Sequence, residues 1–193
     1  HAHGLEHHTT LTGFKWIARA PGLGFGYEEA IGFCPDPGNV RDKDGIATSV
    51  VAASLVAALK AQGRSVWDEL ERLARLHGLH VSSPLTFRVE EIEQIASGMA
   101  RLRAQPPSVL AGSPVVEVSD LSQGYRGLPP TDGVLVLTEA GDRVIARPSG
   151  TEPKLKCYLE VILPVAEGEP LPWEQARERL EAIKGAFAEI IGL

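Results

Sequence analysis

The stretch V-L-V-L-T-E-A-G-D-R-V-I-A-R-P-S-G-T-E-P-K-L-K-C-Y-L-E-V-I, residues 134–162, decides how this chain is read. Its two apolar runs, 134–146 and 155–162, are rich in the branched residues that suit a pleated surface, and Gly141 with Asp142 turns the first into a hairpin. In the second run Leu155, Cys157, Leu159 and Val161 alternate with Lys156, Tyr158, Glu160 and Ile162. Side chains switch faces at every residue of a strand, so the first set is expected to face a core, with Cys157 as a small core residue. Between the runs lies a polar loop. Ser149 and Thr151 bring hydroxyls, Gly150 allows unusual backbone angles, and Arg147, Lys154 and Lys156 bring positive charge. Successive N–H groups beside a guanidinium fork can cradle a phosphate. The same residues are also ordinary turn punctuation, and residue chemistry leaves both readings open.

Downstream, Trp173, Ala176, Leu180, Ile183, Phe187 and Ile190 recur at steps of three and four. They predict a helix whose apolar stripe covers the sheet carrying the loop, with a stripe offered to a partner as the sharper alternative. Upstream, residues 115–118 resemble a short strand and 124–133 a loop. A helix over 89–103 would bury Val89, Ile92, Ile95, Met99 and Leu102 and stop before Pro106 and Pro107. Residues 78–84, G-L-H-V-S-S-P, read as a linker or domain boundary. Before it two helices are predicted. The run 46–60 is apolar on most sides, which implies packing on more than one face, and Gly63 stops it. The next begins at Ser65, with Asp68 in the capping-box position and Leu70, Leu73 and Leu76 as its buried stripe.

Residues 19–33 concentrate glycines around Glu28 and Glu29. Glycines let a loop approach a ligand and carboxylates accept sugar hydroxyls, but by residue chemistry alone a flexible surface turn is the better reading. Likewise Arg41, Asp42, Lys43 and Asp44 read first as a solvated charge cluster ahead of a helix. His1, His3, His7 and His8 lack the acids or cysteines that would complete a metal site, so a frayed terminus is expected. The absence of an initiating methionine suggests a trimmed or partial chain. A formal charge of -6 argues against general nucleic-acid binding, and no apolar run is long enough to span a membrane. With no signal peptide, and with Cys34 and Cys157 far apart, a soluble protein in the reducing cytoplasm is expected.

Four separated segments, in order, carry a family resemblance: T-G-F-K-W-I (12–17), F-G-Y-E-E-A-I-G (25–32), V-R-D-K-D-G (40–45) and R-P-S-G-T-E-P-K-L-K (147–156). Together they resemble the α-D-phosphohexomutases, the phosphoglucomutase and phosphomannomutase family, from the second portion of domain 3 through domain 4. The resemblance implies an α/β chain: a partial three-layer α/β/α mutase domain over 1–83, then a smaller α+β domain over 84–193 with an antiparallel sheet covered by helices. It implies that Thr12 and Gly13 line the substrate cleft and that Glu28 accepts hydrogen bonds from sugar hydroxyls. Lys43 would stand near the transferring phosphoryl group in a supporting catalytic role, and Arg147, Ser149, Gly150, Thr151 and Lys154 would hold the phosphate that does not react. Ala30 stands where many relatives have a serine, and its methyl weakens any sugar contact there.

The family's chemistry is intramolecular phosphotransfer between hexose 1-phosphate and hexose 6-phosphate, a carbohydrate isomerisation. It proceeds through a phosphoserine and a hexose 1,6-bisphosphate intermediate, with Mg2+ held by a D-G-D-x-D-R-type loop. Neither that loop nor the serine loop occurs here, so the expected entity is the C-terminal part of a mutase, inactive alone and partnered by the missing N-terminal domains. The segments lean toward glucose rather than mannose phosphate. Two other readings compete: a stand-alone, non-catalytic sugar-phosphate binding or regulatory module, and a structural domain with no ligand.

Overall fold

The computed structural model describes residues 3–149 and 152–192, and the chain divides into two units, His1–Glu69 and Leu70–Leu193. In the first unit Gly13, at φ 107°, starts a single turn, α1 (Phe14–Ile17). A short hairpin follows, β1 (Gly26–Glu28) with β2 (Gly32–Cys34), pairing Gly26 with Cys34 and Glu28 with Gly32. Phe14, Ile17 and Cys34 form its buried core, with Leu23 packed against them. A Cβ added at Gly26 would lie 2.9 Å from Ile17 Cγ2, so glycine is what lets the hairpin close on α1. α2 (Gly45–Ala61) starts at Asp44, whose Oδ1 accepts the Ile46 and Ala47 N–H groups at 3.0 and 2.9 Å. Asp44 N–H in turn donates to Phe33 O at 2.9 Å, which ties the helix entry to β2.

The apolar surround of α2 finds little cover. Ile46 is 84% exposed, Val50, Val51, Leu55 and Val56 are also exposed, and Leu59 is its one fully buried residue. Multi-sided packing was expected; a two-stranded hairpin and one helical turn supply too little surface to achieve it.

α3 (Val66–His77) opens as predicted, with Ser65 and Asp68 exchanging hydrogen bonds: Ser65 N–H donates to Asp68 Oδ2 at 2.7 Å and Asp68 N–H to Ser65 Oγ at 3.2 Å. Those bonds from Ser65 hold the Asp68 carboxyl below its usual range. Leu70, Leu73 and Leu76, expected buried, are exposed, while Ala74 joins the core. Periodicity marked a stripe correctly but could not say that a surface would meet it.

Residues 78–84 are no linker. Most of them enter β3 (Leu79–Arg88), which pairs with β8 (Lys154–Leu163) from Leu79↔Leu163 to Arg88↔Lys154. Pro84 is tolerated because β3 is an edge strand. α4 (Ile92–Ala104) starts three residues later than predicted, at a capping box of Glu91 and Gln94, and buries Ile95, Met99 and Leu102 but not Ile92. Then come β4 (Val109–Leu110), β5 (Ser113–Asp120), a 3-10 turn (Leu121–Gln123), β6 (Val134–Thr138) and β7 (Arg143–Pro148). The six strands run antiparallel in the order β3-β8-β7-β6-β5-β4.

On β8 Leu155, Cys157, Leu159 and Val161 are buried as expected, and burial pushes the Cys157 thiol up to about 12. α5 (Trp173–Ile191) lays Ala176, Leu180, Ile183 and Phe187 into the same core, with Ile191 rather than Ile190 as the last fully buried residue and Trp173 partly exposed. The β6–β7 turn is locked to α5 through Asp142. Its Oδ2 accepts from Thr138 Oγ1 at 3.0 Å and from Arg179 Nε and Nη2 at 3.0 and 2.7 Å, whereas its Oδ1 has no partner among the described residues. Among the described residues no single helix is long and apolar enough to cross a membrane.

Candidate functional site

Gly13, Glu28, Ala30 and Lys43, separated in sequence, meet in the first unit. Glu28, at the end of β1, turns its carboxylate inward: Oε2 accepts the Gly13 N–H at 3.0 Å and Oε1 pairs with Lys43 Nζ. Lys43 also donates to Ala30 O at 2.9 Å and lies 5.9 Å from the centre of the Phe14 ring. Ala30 thus contributes its carbonyl, while its side chain is exposed. Thr12 is exposed beside Gly13. The Glu28 side chain is 11% exposed and that of Lys43 40%, so the pair is set at the surface rather than sealed.

This arrangement fixes direction more than it consumes capacity. An ionised carboxylate has about four acceptor positions and an ammonium three donors. With Gly13 and Lys43 on Glu28, acceptor positions remain for hydroxyl groups. With Glu28 and Ala30 on Lys43, one N–H remains for an anion. The cluster depends on Gly32, whose missing side chain leaves room: a Cβ there would stand 2.7 Å from Lys43 Cε and 2.9 Å from both Glu28 Cγ and Phe14 Cε2. Sequence reasoning had not singled out Gly32 or Phe14 for this role, although both fall inside the quoted motifs.

In the second unit Arg147, Ser149 and Lys154 gather at one end of the sheet. Arg147 stands opposite Lys156 across β7 and β8, and Ser149 N–H donates to Lys154 O at 2.9 Å, closing the base of the loop. Gly150 and Thr151 lie outside the described residues. Lys154 pairs with Glu152 Oε2 at 2.5 Å. That hydrogen bond, helped by the charges of Arg88 and Lys156, holds the Glu152 carboxyl below its usual range. Val89 N–H donates to Pro153 O at 3.1 Å, so the end of β3 is fastened to the loop. Arg88 is a basic residue that sequence reasoning missed; its signal was the alternation L-T-F-R over 85–88.

A shallow depression lined by Arg75, Glu139, Gly141 and Ile162 lies toward the other end of β8 and carries none of the expected residues. Among the described residues no three His, Cys, Asp or Glu side chains converge to hold a metal ion.

Two family models match the chain. One, described as phosphoglucomutase/phosphomannomutase, alpha/beta/alpha domain III, matches residues 1–76; the other, phosphoglucomutase/phosphomannomutase, C-terminal domain, matches residues 85–171. The chain is 41% identical over 158 residues to a probable phosphomannomutase of Haemophilus influenzae, covering 82% of this chain and 32% of that protein. It is 31% identical to a phosphoglucomutase of Staphylococcus aureus, covering 83% of this chain and 32% of the relative. It is 29% identical over 212 residues to the phosphopentomutase of Mus musculus, covering 96% and 33%. The chain spans about a third of the length of these curated relatives. Its fold resembles the crystal structure of the exocytosis-sensitive phosphoprotein pp63/parafusin, a phosphoglucomutase from Paramecium, in its open form. The TM-score is 0.52 at 17% identity, over 81% of this chain and 29% of that one, and the likeness is one of fold alone.

Proposed function

This chain belongs to the phosphoglucomutase/phosphomannomutase family as its C-terminal part, and from that premise we propose that it is the ligand-holding portion of a phosphohexomutase. The parent interconverts hexose 1-phosphate and hexose 6-phosphate through a phosphoserine and a bisphosphorylated intermediate. The nucleophile and Mg2+ belong to other parts of that parent, and this chain alone does not turn substrate over.

The observation that carries the reading is the pre-set Glu28 carboxylate, aimed by the Gly13 N–H and by Lys43. A carboxylate already held in place accepts vicinal sugar hydroxyls without a further ordering cost. Lys43, pinned by Ala30 O, keeps an N–H for a phosphoryl oxygen, where it offsets developing negative charge. In the second unit Arg147 and Lys154 supply the charge that holds the non-reacting phosphate, and binding energy collected there orients the reacting end.

The test is an NMR titration of this chain with glucose 6-phosphate, inorganic phosphate and free glucose. Glucose 6-phosphate is expected to shift resonances around Ser149 and Lys154 and around Glu28. Glu28→Gln should lower the preference for glucose 6-phosphate over inorganic phosphate, whereas Arg147→Ala should weaken both. Unmoved resonances around Ser149 and Lys154 would overturn the reading. Because the relatives include a phosphopentomutase, ribose 5-phosphate and mannose 6-phosphate belong in the same series to set the sugar preference.

A further inference from the structure

We propose that Arg88, contributed by β3, is a phosphate-binding residue of the 147–154 loop although it lies outside the loop's own sequence. The inference rests on the phosphate reading of that loop. Arg88 faces Lys154 across β3 and β8, and Lys156 faces Arg147 across β8 and β7. Directly opposed residues of antiparallel strands share a face of the sheet. Lys154 and Lys156 are two apart on β8, so all four cations project from one face, opposite to the buried Leu155 and Cys157.

Two like-charged pairs set side by side cost a sheet stability unless an anion stands among them. The loop's own acid is Glu152, paired with Lys154 and drawn also to the charges of Arg88 and Lys156, so one carboxylate stands against four cations. Further along the face, Glu160 is taken by Arg143 at 2.7 Å and His80 at 3.3 Å, so it does not offset the four. The Val89 N–H donated to Pro153 O at 3.1 Å fastens the strand end that carries Arg88 to the base of the loop. An exposed arginine fork beside three further cations matches the geometry and charge of a phosphate dianion, which would relieve both repulsive pairs at once.

The experiment compares the 193-residue chain with its Arg88→Ala, Arg88→Lys and Arg147→Ala variants, titrated with inorganic phosphate and with glucose 6-phosphate. Arg88→Ala is expected to weaken phosphate binding about fivefold, the scale of one exposed ionic contact, and Arg88→Lys to recover most of it. In phosphate-free buffer the Arg88→Ala chain should melt close to the unaltered chain, because the attraction lost to Glu152 is offset by relief of the Arg88–Lys154 repulsion. Its stabilisation by added phosphate should shrink. A lower melting temperature without phosphate, with unchanged phosphate affinity, would reassign Arg88 to a purely structural part and overturn the proposal. Unchanged affinity in Arg88→Ala beside lost affinity in Arg147→Ala would overturn it while leaving the loop reading intact. No phosphate binding by the unaltered chain would end both.

Discussion

In the second unit α4 and α5 close over one face of a six-stranded sheet and bury Leu102, Leu155, Ile183 and Phe187 completely, whereas the first unit rests on Phe14, Ile17 and Cys34 while α2 leaves Ile46, Val50 and Leu55 in solvent. Yet each unit brings candidate residues together: Gly13, Glu28, Ala30 and Lys43 in the first, Arg147, Ser149 and Lys154 in the second. The 147–154 loop is carried by strands whose other side is a full core. The Glu28 cluster is set by bonds over short stretches of chain: Gly13 to Glu28, Lys43 to Ala30 and Asp44 to Phe33. The contrast teaches that the placement of side chains can be written either into packing or into local hydrogen bonds, and that the two fail differently.

The strongest test of the contrast removes packing. Phe187→Ala should cost the second unit about 3–5 kcal/mol through the cavity it leaves, read by urea unfolding. NMR signals of the Gly13 and Glu28 amides should persist through that loss, and their joint disappearance would break the comparison. Next comes alkali. The Cys157 thiol is pushed up to about 12 in the folded chain from an ordinary 9.0, so above pH 9 the unfolded chain releases a proton that the folded one keeps. Stability is therefore full below pH 9 and falls as pH rises toward 12, by up to about 1.4 kcal/mol per pH unit from this group. Cys157→Ala should remove that share of the alkaline slope; an unchanged slope would show that the thiol does not report on the core.

A smaller effect probes the first unit. Gly32→Ala forces a methyl against Lys43 and Phe14, for which overpacking costs about 1–3 kcal/mol, and should separate Lys43 from Glu28, seen as loss of glucose 6-phosphate preference. Preference retained in the variant would show that the cluster yields without losing its aim. Smallest of all, Leu55→Lys on exposed α2 should change stability by no more than about 0.5 kcal/mol while reducing any self-association seen by light scattering. A large loss of stability would mean that α2 is covered after all.

The sequence disclosed elements whose pattern and partner lie close together. The β8 alternation, the α5 stripe and the Ser65–Asp68 cap were legible because each is a local rule with one natural outcome. Leu70, Leu73 and Leu76 obeyed the same rule without reaching a core, since periodicity gives the direction of a stripe but not the surface that meets it. Residues 78–84 hid a strand because Pro84 argues against a sheet interior and says nothing against an edge. Of the candidate residues, the loop was suggested by its own chemistry. Glu28 and Lys43 looked like solvated charges until motif resemblance joined them, because their pairing depends on a glycine, Gly32, whose contribution is empty space.

The pairing of β3 with β8 also sets an order of assembly. β6, β7 and β8 follow one another through short connections, whereas Arg88 reaches Lys154 across 66 positions of chain, a closure that costs more entropy than any hairpin in the meander. The meander can therefore assemble before its outer strand arrives. A meander formed first would carry Arg147, Lys154 and Lys156, and Arg88 would join them only when β3 docks. The charge surrounding the loop would in that sense act as a timer, reaching its final value when β3, the strand farthest in sequence from its partner, has docked.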